Sequence, residues 1–175
     1  MLDEWFDIVD GLDRVVGRAT RGECHGNPAL VHRTAHVVVF SADKRLLLQK
    51  RARTKDIQPG RWDTAVGGHL AEGEDYEQAA RREMSEELGL DSSLPLQFLF
   101  NSRIRNEIES ENVRVFALVN DGPFTRLESE IDELRFWTPR ELADAVGTGV
   151  LTPNLEWEVE VLGELDNSSS GWQTT

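Results

Sequence analysis

The stretch "GGHLAEGEDYEQAARREMSEELGL", residues 67–90, sets Glu72, Glu74, Asp75, Glu77, Glu83, Glu86 and Glu87 against only Arg81 and Arg82. Its second half reads as a helix from about Asp75 to Leu88, stopped at Gly89, because glycine tolerates the left-handed conformation that ends helices. Offsets of three and four residues return to one helix face, so Glu83, Glu86 and Glu87 share a side. Tyr76, Ala80, Met84 and Leu88 form an adjoining apolar stripe suited to burial against a sheet. The carboxylates therefore stand at the edge of a core. Like charges at this spacing cost about 0.2–0.5 kcal/mol per pair, and Glu86 and Glu87 oppose the dipole of the last turn at about 0.3–1 kcal/mol each. A divalent cation such as Mg²⁺ or Mn²⁺, which takes oxygen ligands, reverses both penalties. A solvated acidic face is the alternative that the helix alone leaves open.

On either side of this segment the pattern is that of short strands. "EWFDIVDGLDRVVGRAT" alternates around an Asp-Gly-containing turn and predicts an N-terminal β-hairpin. "TAHVVVFSADKRLLLQKR" predicts a second hairpin turning at Ser41 to Lys44. Strands follow at "LQFLFNSRI", "NVRVFALV" and "LRFW", giving a mixed sheet. A second helix starts at "TPRELADAV", where Thr138 caps, Pro139 takes the first helical position and Glu141 completes a capping box. A third begins at Thr152 and Pro153 and runs through Leu162. One domain over residues 1–165 is expected, followed by a mobile polar tail over 166–175.

Composition limits the partners. A chain of 175 residues with 39% hydrophobic and 29% charged residues fits one ordinary globular domain. Lys and Arg number 19 against 32 Asp and Glu, a formal charge of −13 that repels nucleic-acid polymers. A small anion remains acceptable where a metal supplies compensating charge. The one cysteine, Cys24, rules out an internal disulfide and fits a reducing compartment. The N-terminus lacks the form of a secretory signal, and no apolar run spans a bilayer, so the expectation is cytoplasmic with no membrane contact.

Gly68, five residues, Glu74, seven residues and then Arg82-Glu83-Met84-Ser85-Glu86-Glu87-Leu88-Gly89-Leu90 resembles the signature of the Nudix hydrolase superfamily at every specified position. Chance agreement at the fixed positions is on the order of one in 10⁷. The resemblance implies an α/β fold, specifically an αβα sandwich around a central mixed β-sheet, whose loop-helix-loop holds Mg²⁺ or Mn²⁺ and cleaves a diphosphate joined to another moiety. It makes Glu83, Glu86, Glu87 and the carbonyl of Gly68 the metal ligands. Arg82 and Glu74 pair to orient the helix, completing the catalytic set of Glu83, Glu86, Arg82 and Glu74. The water-activating base is Glu83 or Glu86, or a glutamate of the later loop, Glu130 or Glu133, which otherwise read as surface acids.

Outside that signature, "EWFDIVD", "VVGRAT", "VHRTAHVVVF" and "LLLQKRARTKDIQPGRWDT" resemble the isopentenyl-diphosphate isomerase-like branch. By that resemblance Arg51 and Lys55 bind the substrate diphosphate. His25, His32 and His69 match three isomerase metal ligands, with Glu109 or Glu111 adding carboxylates; imidazole suits Mn²⁺ or Zn²⁺. Gly67 stands where isomerases carry their catalytic cysteine, so hydrolysis is favoured over isomerisation. Three functions are thus carried forward: a metal-dependent pyrophosphohydrolase, an isopentenyl-diphosphate isomerase, and a non-catalytic Nudix sensor. A homodimer is compatible with all three. Trp62, Phe116 and Trp137 read either as a stacking platform for a base or as core.

Overall fold

The computed structural model describes residues 4–168, and the part of the expected tail at 169–175 lies outside them. An antiparallel hairpin of β1 (Trp5–Val9) and β2 (Val15–Thr20) leads through a short helix, α1 (Arg21–Cys24), into β3 (Val31–Phe40). Then come β4 (Leu46–Arg51), β5 (Trp62–Thr64), β6 (Val66–His69), α2 (Tyr76–Leu88), β7 (Gln97–Arg105), β8 (Ser110–Val119) and β9 (Ile131–Trp137). Two helices finish the chain, α3 (Pro139–Ala145) and α4 (Pro153–Ser168). The last helix runs past the expected domain boundary, so residues 166–168 are helical rather than tail.

The sheet is mixed, as expected: β3 and β8 pair in parallel from Val31↔Ser110 to Phe40↔Val119, while the other pairs are antiparallel. Its strand order is β5-β4-β3-β8-β7, with β6 added beside β3 and β9 beside β4. The predicted second hairpin closes over only two pairs, Val39↔Leu47 and Phe40↔Leu46. Below them the strands part. β3 takes β6 as its partner from Val37↔Val66 to Thr34↔His69, and β4 takes β5 and β9. This fork opens the space described below.

Alternation along β3 and β8 divides the core between the two sheet faces. Val37, Val39, Phe116 and Leu118 pack with Ala80, Met84 and Leu88 of α2, confirming that helix's apolar stripe. Val38, Val113 and Val115 point the other way, toward Leu142 of α3 and Leu155 and Leu162 of α4. The result is the expected α/β/α sandwich. Trp62 and Trp137, T-shaped at 5.2 Å, are 8% and 6% exposed in the second core, and Phe116 is buried in the first. Split across two faces and buried, they make no stacking platform; they are core.

The helix ends behave as their residues dictate. Asp75 caps α2 in a reciprocal box with Gln78, Gly89 ends it at φ 65°, and Thr138 and Glu141 form the expected box on α3. A third box, Thr20 with Glu23, starts α1, a helix unforeseen because it is one turn long. The N-terminal hairpin is pinned over the sheet. Asp13 at its tip accepts from Tyr76 Oη at 3.0 Å and Asn112 Nδ2 at 2.7 Å, and Asp7 pairs with Arg33 at 2.7 Å.

Candidate active site

The long helix places its carboxylates unequally. Glu83 lies across Gly68 so closely that a β-carbon there would sit 2.1 Å from its Cδ; only glycine admits this packing. Glu87 is buried, with Oε2 accepting from Gln49 Nε2 at 3.1 Å and Gly67 N at 3.4 Å. Burial, reinforced by the charge of Glu83, pushes the Glu87 carboxyl up to about 8. Burial likewise raises Glu83 against the opposing pull of Arg82. Glu86, expected on the same face, stands instead at the outer flank with its side chain 54% exposed, 3.5 Å from Arg82.

Arg82 holds this group together. Its Nε and Nη2 grip the two oxygens of Glu74 at 2.9 Å each, a bidentate fork. Nη2 also donates to the His69 carbonyl at 3.1 Å, and Nη1 to Glu83 Oε1 at 2.6 Å. Burial alone would raise the Glu74 carboxyl, yet the Arg82 and Ala71 N–H bonds bring it below the usual range. One guanidinium thus ties the loop before α2, the strand β6 and a helix carboxylate into a fixed arrangement.

A cavity of about 110 Å³ opens in the fork between β3 and β4. Its walls include Gln49, Gly67, Gly68, Glu87, Arg51 and Lys55, so the two expected diphosphate-binding cations reach the space that Glu87 faces. Each already has a partner: Arg51 donates to Asp63 at 3.2 Å and to the Ile57 carbonyl at 3.0 Å, and Lys55 contacts Glu130. Of the two glutamates expected in a later loop, Glu130 lines the cavity, whereas Glu133 falls within β9, paired with Lys50 of β4, and lies outside the cavity with its side chain 51% exposed.

His25, His32 and His69 converge, with their ligand atoms all within 4.8 Å of one another. Phe6 of the hairpin stacks on His32 and His69 at 5.3 and 4.6 Å, covering one side of the cluster. Glu111 Oε1 lies 3.0 Å from His69 Nε2 and 3.3 Å from His32 Nε2, and Glu109 lies 4.0 Å from His25. Burial would raise Glu111, but the adjoining imidazoles of His32 and His69 hold it well below the carboxylate range; burial, with the nearby Glu111 charge, raises Glu109. Burial also depresses His25, keeping it neutral. The Leu30 carbonyl lies 3.3 Å from His32 Nδ1. The Nε2 atoms of His25 and His32 are buried without a hydrogen-bond partner. Such orphaned nitrogens beside two carboxylates fit a transition-metal ion. His25, His69, Glu109 and Glu111 line the same cavity as Glu87, so the cluster is continuous with the glutamate site.

The sequence reading passed over another group on this cavity. His36 Nδ1 lies 2.5 Å from Glu158 Oε1, and Thr64 Oγ1 donates to the other oxygen of Glu158. Glu158 comes from α4 and shows no motif spacing to His36, so only the fold joins them.

An α/β/α sandwich whose long helix brings glutamates onto a Gly-Gly-His strand is the architecture of Nudix hydrolases. The chain belongs to that family: the NUDIX domain model matches residues 30–157. It is 36% identical over 147 residues to a Nudix hydrolase of Yersinia pestis, covering 79% of this chain and 75% of that one. Identity is 35% over 147 residues to the Nudix hydrolase YfcD of Escherichia coli, covering 79% and 76%. The crystal structure of DR0079 from Deinococcus radiodurans superposes with a TM-score of 0.79 at 25% identity, over 90% of this chain and 98% of that one.

Proposed function

We propose that this Nudix hydrolase is a Mg²⁺- or Mn²⁺-dependent pyrophosphohydrolase that cleaves a nucleoside-diphosphate-linked or other organic diphosphate by water attack. The observation that carries this reading is Glu87, a buried carboxylate with no cationic partner among the described residues, facing a cavity that Arg51 and Lys55 also reach. An uncompensated buried anion is stabilised by a cation, and the donor set is all oxygen. Glu83, Glu86, Glu87 and the Gly68 carbonyl would hold the ion, with Glu86 turning inward from its exposed position. When bound, the ion neutralises phosphate oxygens and lowers the pKa of a water. Arg51 and Lys55 orient the diphosphate, exchanging Asp63 and Glu130 for phosphate oxygens. Glu130, so released, takes the proton of the attacking water, with Glu83 or Glu86 in that role otherwise. His25, His32 and His69, with Glu109 and Glu111, would hold a transition metal at the adjoining end of the cavity.

Gly67 brings no thiol to the cavity wall, which supports hydrolysis over isomerisation. A screen of nucleoside diphosphates, dinucleotides, nucleotide sugars and prenyl diphosphates, with products identified, tests the reading. Cleavage of a phosphoanhydride that requires added Mg²⁺ or Mn²⁺ is expected. Formation of dimethylallyl diphosphate from isopentenyl diphosphate, or no cleavage of any diphosphate with either ion, overturns it. Replacing all three histidines by alanine should remove Mn²⁺ or Zn²⁺ binding at one site; identical stoichiometry and affinity in parent and variant would make them structural.

A further inference from the structure

Glu158 holds His36 by Nδ1 at 2.5 Å and is itself fixed by Thr64, so the ring has one orientation. Its other edge lies over Gly67: the Cδ2 and Nε2 atoms are 3.2 and 3.3 Å from where a β-carbon on residue 67 would be. Gly67 therefore clears the space that this edge occupies. Nε2 makes no hydrogen bond to any described residue, and His36 lines the cavity beside Gln49, Gly67 and Glu87. Arg51 and Lys55 arrive already paired to carboxylates, whereas His36 Nε2, set against the lining residue Gly67, has no such partner among the described residues.

We propose that His36 is a substrate-contacting residue, clamped at Nδ1 by Glu158, whose Nε2–H binds a phosphoryl oxygen of the diphosphate in the cavity. The role rests on the diphosphate reading above and adds to it a contact contributed jointly by β3 and α4. Burial opposes a charge on the ring, but the facing Glu158 carboxylate outweighs it and moves the His36 pKa up to about 9, so both ring nitrogens carry protons at neutral pH. A charged N–H to phosphate oxygen bond is among the stronger hydrogen bonds, and its desolvated setting strengthens it further.

The test uses the full chain with Mg²⁺ and methylenediphosphonate, a diphosphate mimic that cannot be hydrolysed. The ¹⁵N–¹H resonance of His36 Nε2 should shift on addition of the mimic to the unaltered protein. In His36→Gln the mimic should bind about 10-fold or more weakly, KM should rise more than kcat falls, and Mg²⁺ affinity should be unchanged. Glu158→Gln, which leaves the ring neutral, should weaken binding in the same direction. Should the parent bind the mimic while the His36 resonance stays in place, or should folded His36→Gln bind it equally well, the inference fails and the diphosphate reading stands. No binding by the parent would defeat both together.

Discussion

Glu87 carries a cost that the metal-free protein cannot escape. Its folded pKa, about 8, lies above the ordinary carboxyl value of 4.5, so the native state binds this proton more tightly than the unfolded state does. The associated stability is complete below about pH 4.5 and is lost as pH rises through about 8. Glu87→Gln keeps the acceptor for Gln49 and Gly67 and removes the charge. In chelator at pH 8.5 the variant should therefore melt about 3 °C or more above the parent, and added Mg²⁺ should raise the parent alone. A variant that melts at or below the parent would show that the carboxylate is compensated in some other way. Gly68 sets a second expectation: in Gly68→Ala the methyl group displaces the Glu83 side chain, so turnover should fall about 100-fold or more with an unchanged circular dichroism spectrum. Near-normal turnover would remove Glu83 from the site.

At the scale of elements, α2 does two jobs with opposite demands. Its Ala80, Met84 and Leu88 stripe must bury for the sandwich to form, and the same rotation carries Glu87 inward, next to β6. Arg82 reconciles them by bracing Glu74, the His69 carbonyl and Glu83 from one guanidinium. A lysine cannot reproduce that fork, because an ammonium is a point charge without a planar pair of donors. Arg82→Lys should lower kcat by about 10- to 100-fold, as the loss of partners behind metal ligands commonly does. Steady-state kinetics at saturating Mg²⁺ checks this, and an unchanged kcat would mean that Glu74 and Arg82 merely close a surface loop.

Across the whole molecule, the cavity exists because β3 exchanges β4 for β6 partway along its length, and the N-terminal hairpin then covers one end of the opening. Phe6 is fully buried between the hairpin and the imidazoles of His32 and His69. Phe6→Leu keeps most of the volume and loses the ring stacking, at about 1 kcal/mol. Loosened rings should bind Mn²⁺ about 10-fold more weakly, since groups that orient ligands commonly matter by that factor. Calorimetric titration alongside a thermal melt separates the two effects; Mn²⁺ affinity equal to the parent's would show that the hairpin packs against the cluster without orienting it.

Local chemistry sufficed for a good part of this protein. The start of α2 near Asp75, the Thr138 cap, the Gly89 stop, the stripe of α2 and the Ser41 to Lys44 turn depend on residues a few positions apart, and all were legible in the amino-acid sequence. The spacing from Gly68 to Glu87 was legible for the same reason, since one strand, one loop and one helix carry it. Three features were not. Glu86 was expected beside Glu83 and Glu87 because helical spacing reports a face to within a third of a turn, while burial at the cavity edge changes over a single residue. Trp62, Phe116 and Trp137 were open between platform and core because which sheet face a strand residue takes depends on register with its neighbours. His36 and Glu158, 122 positions apart, carry no pattern along the chain, and their ion pair arises only when α4 packs across the sheet. Sequence alone thus determined most of the elements and the glutamate helix, whose causes are short-range, but not the short α1, β5 and β6; tertiary structure decided which polar side chains share the cavity, because strand divergence and helix packing bring together residues with no local relation.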